Sequence, residues 1–124
     1  MAPIEYVRFI SGPDGVSRIE KGRHIPFELT DFVPPSPPIG VSAVAAASRY
    51  AFLSVPAGFD GGWHPSPGRQ WIFCLSGNMR MEAGDGQVHT TSPGDAVLLE
   101  DTAGRGHFSR VVSDVPAVFA AVQL

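Results

Sequence analysis

Gly58-Phe59-Asp60-Gly61-Gly62-Trp63-His64-Pro65-Ser66-Pro67-Gly68-Arg69-Gln70 runs directly into Trp71-Ile72-Phe73-Cys74-Leu75, which stops at Ser76-Gly77. A loop dense in glycine and proline carries no helical period. The short apolar run behind it, bounded by turn residues and rich in aromatic side chains, reads as a strand. Side chains two apart on a strand share a face, so Gln70, Ile72 and Cys74 point one way and Trp71, Phe73 and Leu75 the other. Both faces are apolar. One fills a core, and the other needs a second sheet or a partner.

The same punctuation continues outward in both directions. Towards the C-terminus, Met79–Glu82 alternates, Gly84-Asp85-Gly86 turns the chain and Gln87–Thr91 returns, which makes an antiparallel hairpin. Ser92-Pro93-Gly94-Asp95 turns again before Ala96–Leu99, and Phe108–Val112 and Val118–Val122 supply the last strands. Towards the N-terminus, Tyr50–Val55 is a strand ended by Pro56-Ala57-Gly58, and Tyr6–Ile10 is another, followed by the turn Ser11–Gly15 and a short returning strand. Asp31–Pro38 cannot pair inside a sheet, because its prolines lack amide donors. It runs over the surface or along an edge, as an arm packed on the body or on a second subunit rather than as a PxxP-like ligand. Val41–Ala47 fits either an edge strand or a helical turn.

With 14 glycines and 12 prolines falling between such runs, the chain reads as about nine or ten short strands, with little or no helix. That pattern belongs to an all-β antiparallel barrel or jelly roll. A length of 124 residues fits one domain over 1–124, with N-terminal strands and a proline-rich arm in 1–49 and a core in 50–124.

Composition narrows the functions. A chain 44% hydrophobic and 17% charged, with net charge −3, is expected to be soluble and globular. Its nine Lys and Arg residues are scattered, so no nucleic-acid partner is expected. Met1–Tyr6 has neither a basic nor an apolar stretch, and no run is long enough for a spanning helix, so the expected location is cytoplasmic, away from membranes. Cys74 is the only cysteine, which rules out an intrachain disulfide and a thiolate metal cluster; it reads as a small buried hydrophobe. No nucleotide fingerprint or nucleophile–base pair appears.

Gly58, His64, Ser66, Gln70 and Gly77 stand at the spacing of the first cupin motif, in which G is followed by H-x-H, then E, then G. This segment resembles that motif, with Ser66 in place of the second histidine and Gln70 in place of the glutamate. Gly94–His107 is similar to the second motif, with Gly104 and His107 correctly spaced but no proline in the turn. Together with Asp14-Gly15-x-Ser17, these segments resemble small single-domain bacterial cupins with degenerate metal motifs. The resemblance implies a cupin barrel and a metal-binding set of His64, Gln70 and His107, holding zinc, nickel, iron or copper. It also implies a homodimer, since small cupins commonly pair through a sheet face.

The departures weaken that metal site, because an amide replaces a carboxylate and a hydroxyl replaces an imidazole. The chain is therefore expected to use either one divalent ion or none. His64 is either a pocket residue or a hydrogen-bonded loop residue, and the same choice applies to His107. Two histidines facing one pocket can exchange protons near neutrality without a metal. Glu100 completes the candidate catalytic set; Glu100 and Asp101 are each either an acid or base near the mouth or a cap of the turn through side-chain hydrogen bonds. Ser66, Gln70, Ile72, Cys74, Ser109 and Trp63 are the candidate pocket residues. The expected function is a small-molecule enzyme of isomerase, lyase or cyclase type rather than an oxygenase. The alternative is a binding module without catalysis.

Overall fold

Alternation of side chains is what places the Trp71 run. It becomes β7 (Gln70–Ser76), inside a six-stranded sheet of order β2-β1-β10-β7-β12-β5, whose other members are β1 (Ile4–Ser11), β2 (Ser17–Ile25), β5 (Arg49–Val55), β10 (Ala96–Glu100) and β12 (Ala117–Gln123). The computed structural model describes all of residues 1–124. A second sheet has the order β6-β11-β8-β9 and comprises β6 (Asp60–His64), β8 (Met79–Glu82), β9 (Val88–Thr91) and β11 (His107–Val111). Strands β3 (Glu28–Thr30) and β4 (Ile39–Val41) pair only with each other. All pairings are antiparallel except β1 with β10. The result is an all-β jelly roll without helix, so no helix is long and apolar enough to cross a membrane.

The core lies between the two larger sheets. Ile72 and Cys74 point into it as the alternation requires, and meet Phe9, Val97, Leu99 and Phe119 from the same sheet and Met79, Met81 and Val111 from the opposite one. Gly77 ends β7 at φ 70°, and a Cβ there would overlap the Pro116 carbonyl. The turn into β8 thus depends on glycine for both conformation and room.

Two segments differ from what the sequence suggests. Val41–Ala47 forms neither the edge strand nor the helical turn considered for it; only Ile39–Val41 is strand, and residues 42–48 carry no regular structure. Asp60–His64 is a strand despite its glycines. Its pairing with β11 breaks register between Phe108 and Arg110, and Gly62 takes φ 64°. A bulge of this kind absorbs an extra residue while the ladder continues.

Candidate functional site

Register brings the two motif histidines together. His64 ends β6, His107 begins β11, and the two residues stand opposite one another in the antiparallel ladder. Opposed residues on neighbouring strands project to the same face, and here the face is the inside of the jelly roll. Their ring centroids lie 4.7 Å apart at an interplanar angle of 61°. Phe9 packs edge-on against His107 at 5.5 Å. Both imidazoles line a cavity of about 180 Å³ that also includes Gln70, Ile72, Ser109 and apolar residues of both sheets, among them Met79, Met81, Leu99 and Phe119. The cavity is polar at the histidine end and apolar elsewhere.

Asp101 fixes one of the rings. It follows β10 immediately, is wholly buried, and its Oδ2 lies 2.6 Å from His107 Nδ1. A carboxylate only accepts hydrogen bonds, so Nδ1–H donates and Nε2 is the nitrogen left for chemistry in the cavity. Asp101 Oδ1 has no partner. The Asp101 carbonyl accepts from Ser66 N–H at 2.9 Å, so one residue holds both the second imidazole and the loop that follows the first. Gly106 presses the two histidine strands together. At φ 71° its Cα sits so near the end of β6 that a Cβ would overlap the His64 carbonyl and Pro65.

The expected site residues divide into two groups. His64, Gln70, Ile72, Ser109 and His107 line the same cavity. Glu100, Trp63, Ser66 and Cys74 do not. Val97 and Leu99 point inward from β10, so Glu100 points outward, where it accepts from Arg69 Nε at 2.5 Å and Arg8 Nη1 at 3.2 Å. Trp63 is turned away by the same alternation that turns His64 inward; it packs on Phe108, and the Arg105 guanidinium lies 4.2 Å from its ring centroid. Ser66 is buried in its loop and donates to the Gly68 carbonyl at 2.6 Å. Cys74 is buried in the core towards the Gly77 turn, and burial pushes its thiol up from the ordinary range. Sequence reasoning weighed Asp101 as an acid or base near the mouth or as a turn cap, and overlooked its role beneath His107. It also passed over Leu53, Val55 and Phe59, which line the same cavity.

A metal ion is a poor fit for these donors. No three residues among His, Cys, Asp and Glu gather at one point, which leaves two imidazoles and the neutral amide of Gln70. Ser66 does not reach the cavity, and Asp101 is committed to His107. Two imidazoles and one neutral amide are fewer good donors than the three or four protein ligands usual for such ions, so they would hold a divalent ion weakly.

The Cupin domain family model matches residues 51–123. No curated protein matches the chain. Among solved structures, protein NMB1881 from Neisseria meningitidis aligns with 66% of this chain and 78% of its own at 18% identity and a TM-score of 0.50. The cupin domain of Cnp3 from Schizosaccharomyces pombe aligns with 98% of this chain and 83% of its own at 10% identity and a TM-score of 0.48. A putative ethanolamine utilization protein Q from Salmonella typhimurium gives 98% and 94% at 15% identity and a TM-score of 0.40. Likenesses this distant concern the fold alone.

Proposed function

The chain belongs to the cupin superfamily, whose fold serves enzymes and non-catalytic modules alike, and we propose that this member is an enzyme moving protons on a small organic molecule. One observation carries the reading: a fully buried aspartate holds Nδ1 of an imidazole whose ring lines a cavity shared with a second histidine. A carboxylate behind a histidine fixes its tautomer and stabilises the imidazolium that forms when the ring takes up a proton. His107 Nε2 is the base. His64, across the ladder, is the acid that delivers a proton: to another atom of the same molecule in an isomerisation or cyclisation, and to the departing group as its bond to carbon breaks in an elimination. Gln70 and Ser109 supply hydrogen bonds to orient the substrate. The apolar lining strengthens those contacts by excluding water. At about 180 Å³, the cavity is smaller than the pockets of about 300–1,000 Å³ that hold drug-sized ligands, so the substrate has few heavy atoms.

The test is deuterium tracing. Wild type, His107→Gln and His64→Gln are incubated in D2O with a panel of small hydroxyketones, keto acids and lactones, and followed by proton NMR. Wild type is expected to exchange an acidic C–H of at least one compound, with a loss of about 100-fold or more in His107→Gln, the usual contribution of a positioned base. Saturable binding of a panel member without any exchange would overturn the catalytic reading and assign the cavity to a binding module. The thin donor set gives a parallel expectation: untagged protein soaked in zinc, nickel or iron and then desalted retains well under one equivalent by mass spectrometry.

A further inference from the structure

A row of polar side chains leads out of the inner cavity towards the edge of the six-stranded sheet. Gln70 of β7 stands opposite Gln123 of β12, and Gln123 stands opposite Arg49 of β5. Opposed residues on neighbouring strands project to the same face. Gln70 lines the inner cavity, so all three belong to the inner face of the sheet. The row ends in an outer chamber of about 370 Å³, bounded by Arg49, Gln123 and Pro67 and joined to the inner cavity at Leu53 and Gln70, which line both.

Apart from the two histidines, Arg49 is the only side chain lining either chamber that carries a charge near neutrality. It has no carboxylate partner in the chain. Arg8, Arg23 and Arg69, by contrast, all sit beside Glu20 or Glu100. The Arg49 side chain is nevertheless held, because its Nε donates to Gln123 Oε1 at 2.9 Å. Gln123 is tied down in turn, its carbonyl accepting from Ser48 N–H at 2.8 Å and from Ser48 Oγ at 3.2 Å. With Nε engaged, Nη1 and Nη2 remain as paired donors, the end of the guanidinium that matches a carboxylate.

We infer that the outer chamber is an anion subsite, in which Arg49 holds the carboxylate of a small organic acid while the rest of that molecule passes Gln70 into the inner cavity. The ligand class follows from charge. One guanidinium balances the single charge of a carboxylate, whereas a phosphate ester carries nearly two, and no second cation lines the chamber. No acidic side chain lines either chamber to oppose the anion. The small volume of the inner cavity then limits only the part of the molecule that reaches the histidines. The subsite names the substrate class for the proton-transfer reading above and rests on it for the chemistry; binding of the acid does not, and the two are separable by experiment.

Proton–nitrogen NMR titrations with short straight-chain keto acids, each beside its methyl ester and all beside inorganic phosphate, test the subsite. Wild type is expected to bind at least one acid about 10-fold or more tighter than its ester, the usual worth of a hydrogen bond to a charged group, with shifts in the Gln70 and Gln123 side-chain amides. Arg49→Gln is expected to bring the acid down to the ester's affinity, and Arg49→Lys to keep part of the preference, because an ammonium retains the charge without the fork. Arg49 is exposed, so neither change threatens the fold. Arg110→Gln, which removes the same charge from an exposed position on β11, is expected to change nothing. Equal affinity for acid and ester, a preference that survives Arg49→Gln, tighter binding of phosphate than of every acid, or no binding of any acid would each overturn the proposal. Acid-selective binding that depends on Arg49 but brings no deuterium exchange upholds the subsite and removes the catalytic reading. Exchange of a keto acid with a KM indifferent to Arg49→Gln removes the subsite and leaves the catalytic reading standing.

Discussion

Asp101 has a single compensating partner. Its Oδ2 meets His107 and its Oδ1 meets nothing, so the imidazole alone offsets the burial of that carboxylate. Removing one member of such a buried pair costs about 3–5 kcal/mol. His107→Ala is therefore expected to lower stability by that amount in urea denaturation, and Asp101→Ala/His107→Ala to recover part of the loss, because the double variant leaves no orphaned charge. Costs that simply add would mean that the pair is uncoupled. His89 behaves differently. Burial pulls its pKa below the ordinary 6.5, an effect that Asp95 opposes and Lys21 reinforces, and its Nε2 has no partner. A histidine whose pKa falls on folding binds fewer protons folded than unfolded, so stability declines as pH drops below about 6.5 and levels out below the folded pKa. Between about pH 7.5 and 5, wild type is expected to lose more melting temperature than His89→Gln; equal losses would place the acid sensitivity elsewhere.

At the scale of elements, the site exists because β6 and β11 are in register, and Gly106 sets their approach. Gly106→Ala forces a Cβ against the His64 carbonyl and strains a positive φ. It is expected to destabilise the fold by about 1–3 kcal/mol and to move the His64 and His107 ring signals in NMR spectra more than those of His24. Ring signals left in place would show that β6 yields without disturbing the pair. The same elements explain what the sequence could tell. Period-two alternation in Trp71–Leu75 put Ile72 and Cys74 inward, and motif spacing brought His64, Gln70 and His107 to one cavity. Alternation applied to Val97 and Leu99 would also have turned Glu100 outward. Asp101 was harder to read, because it follows the last residue of β10, where alternation stops. The strand status of His64 was hidden by Gly61-Gly62 and settled by pairing with residues more than forty positions away, which no local pattern carries.

Taken as a whole molecule, the jelly roll holds its chemistry at the seam between two sheets. The six-stranded sheet contributes Gln70, Ile72 and Leu99, the four-stranded sheet His64, His107 and Ser109, and Phe9 from β1 packs against the His107 ring. Apolar residues surround the imidazoles, and the Asp101 pair decides which nitrogen faces the cavity between the sheets. That arrangement is the central claim, and long-range proton–nitrogen correlation of the imidazoles tests it most directly. His107 is expected to carry its proton on Nδ1 with an unprotonated Nε2, and to lose that fixed tautomer in Asp101→Asn while His64 is unchanged. A His107 protonated on Nε2 alone, or a tautomer indifferent to Asp101→Asn, would contradict it.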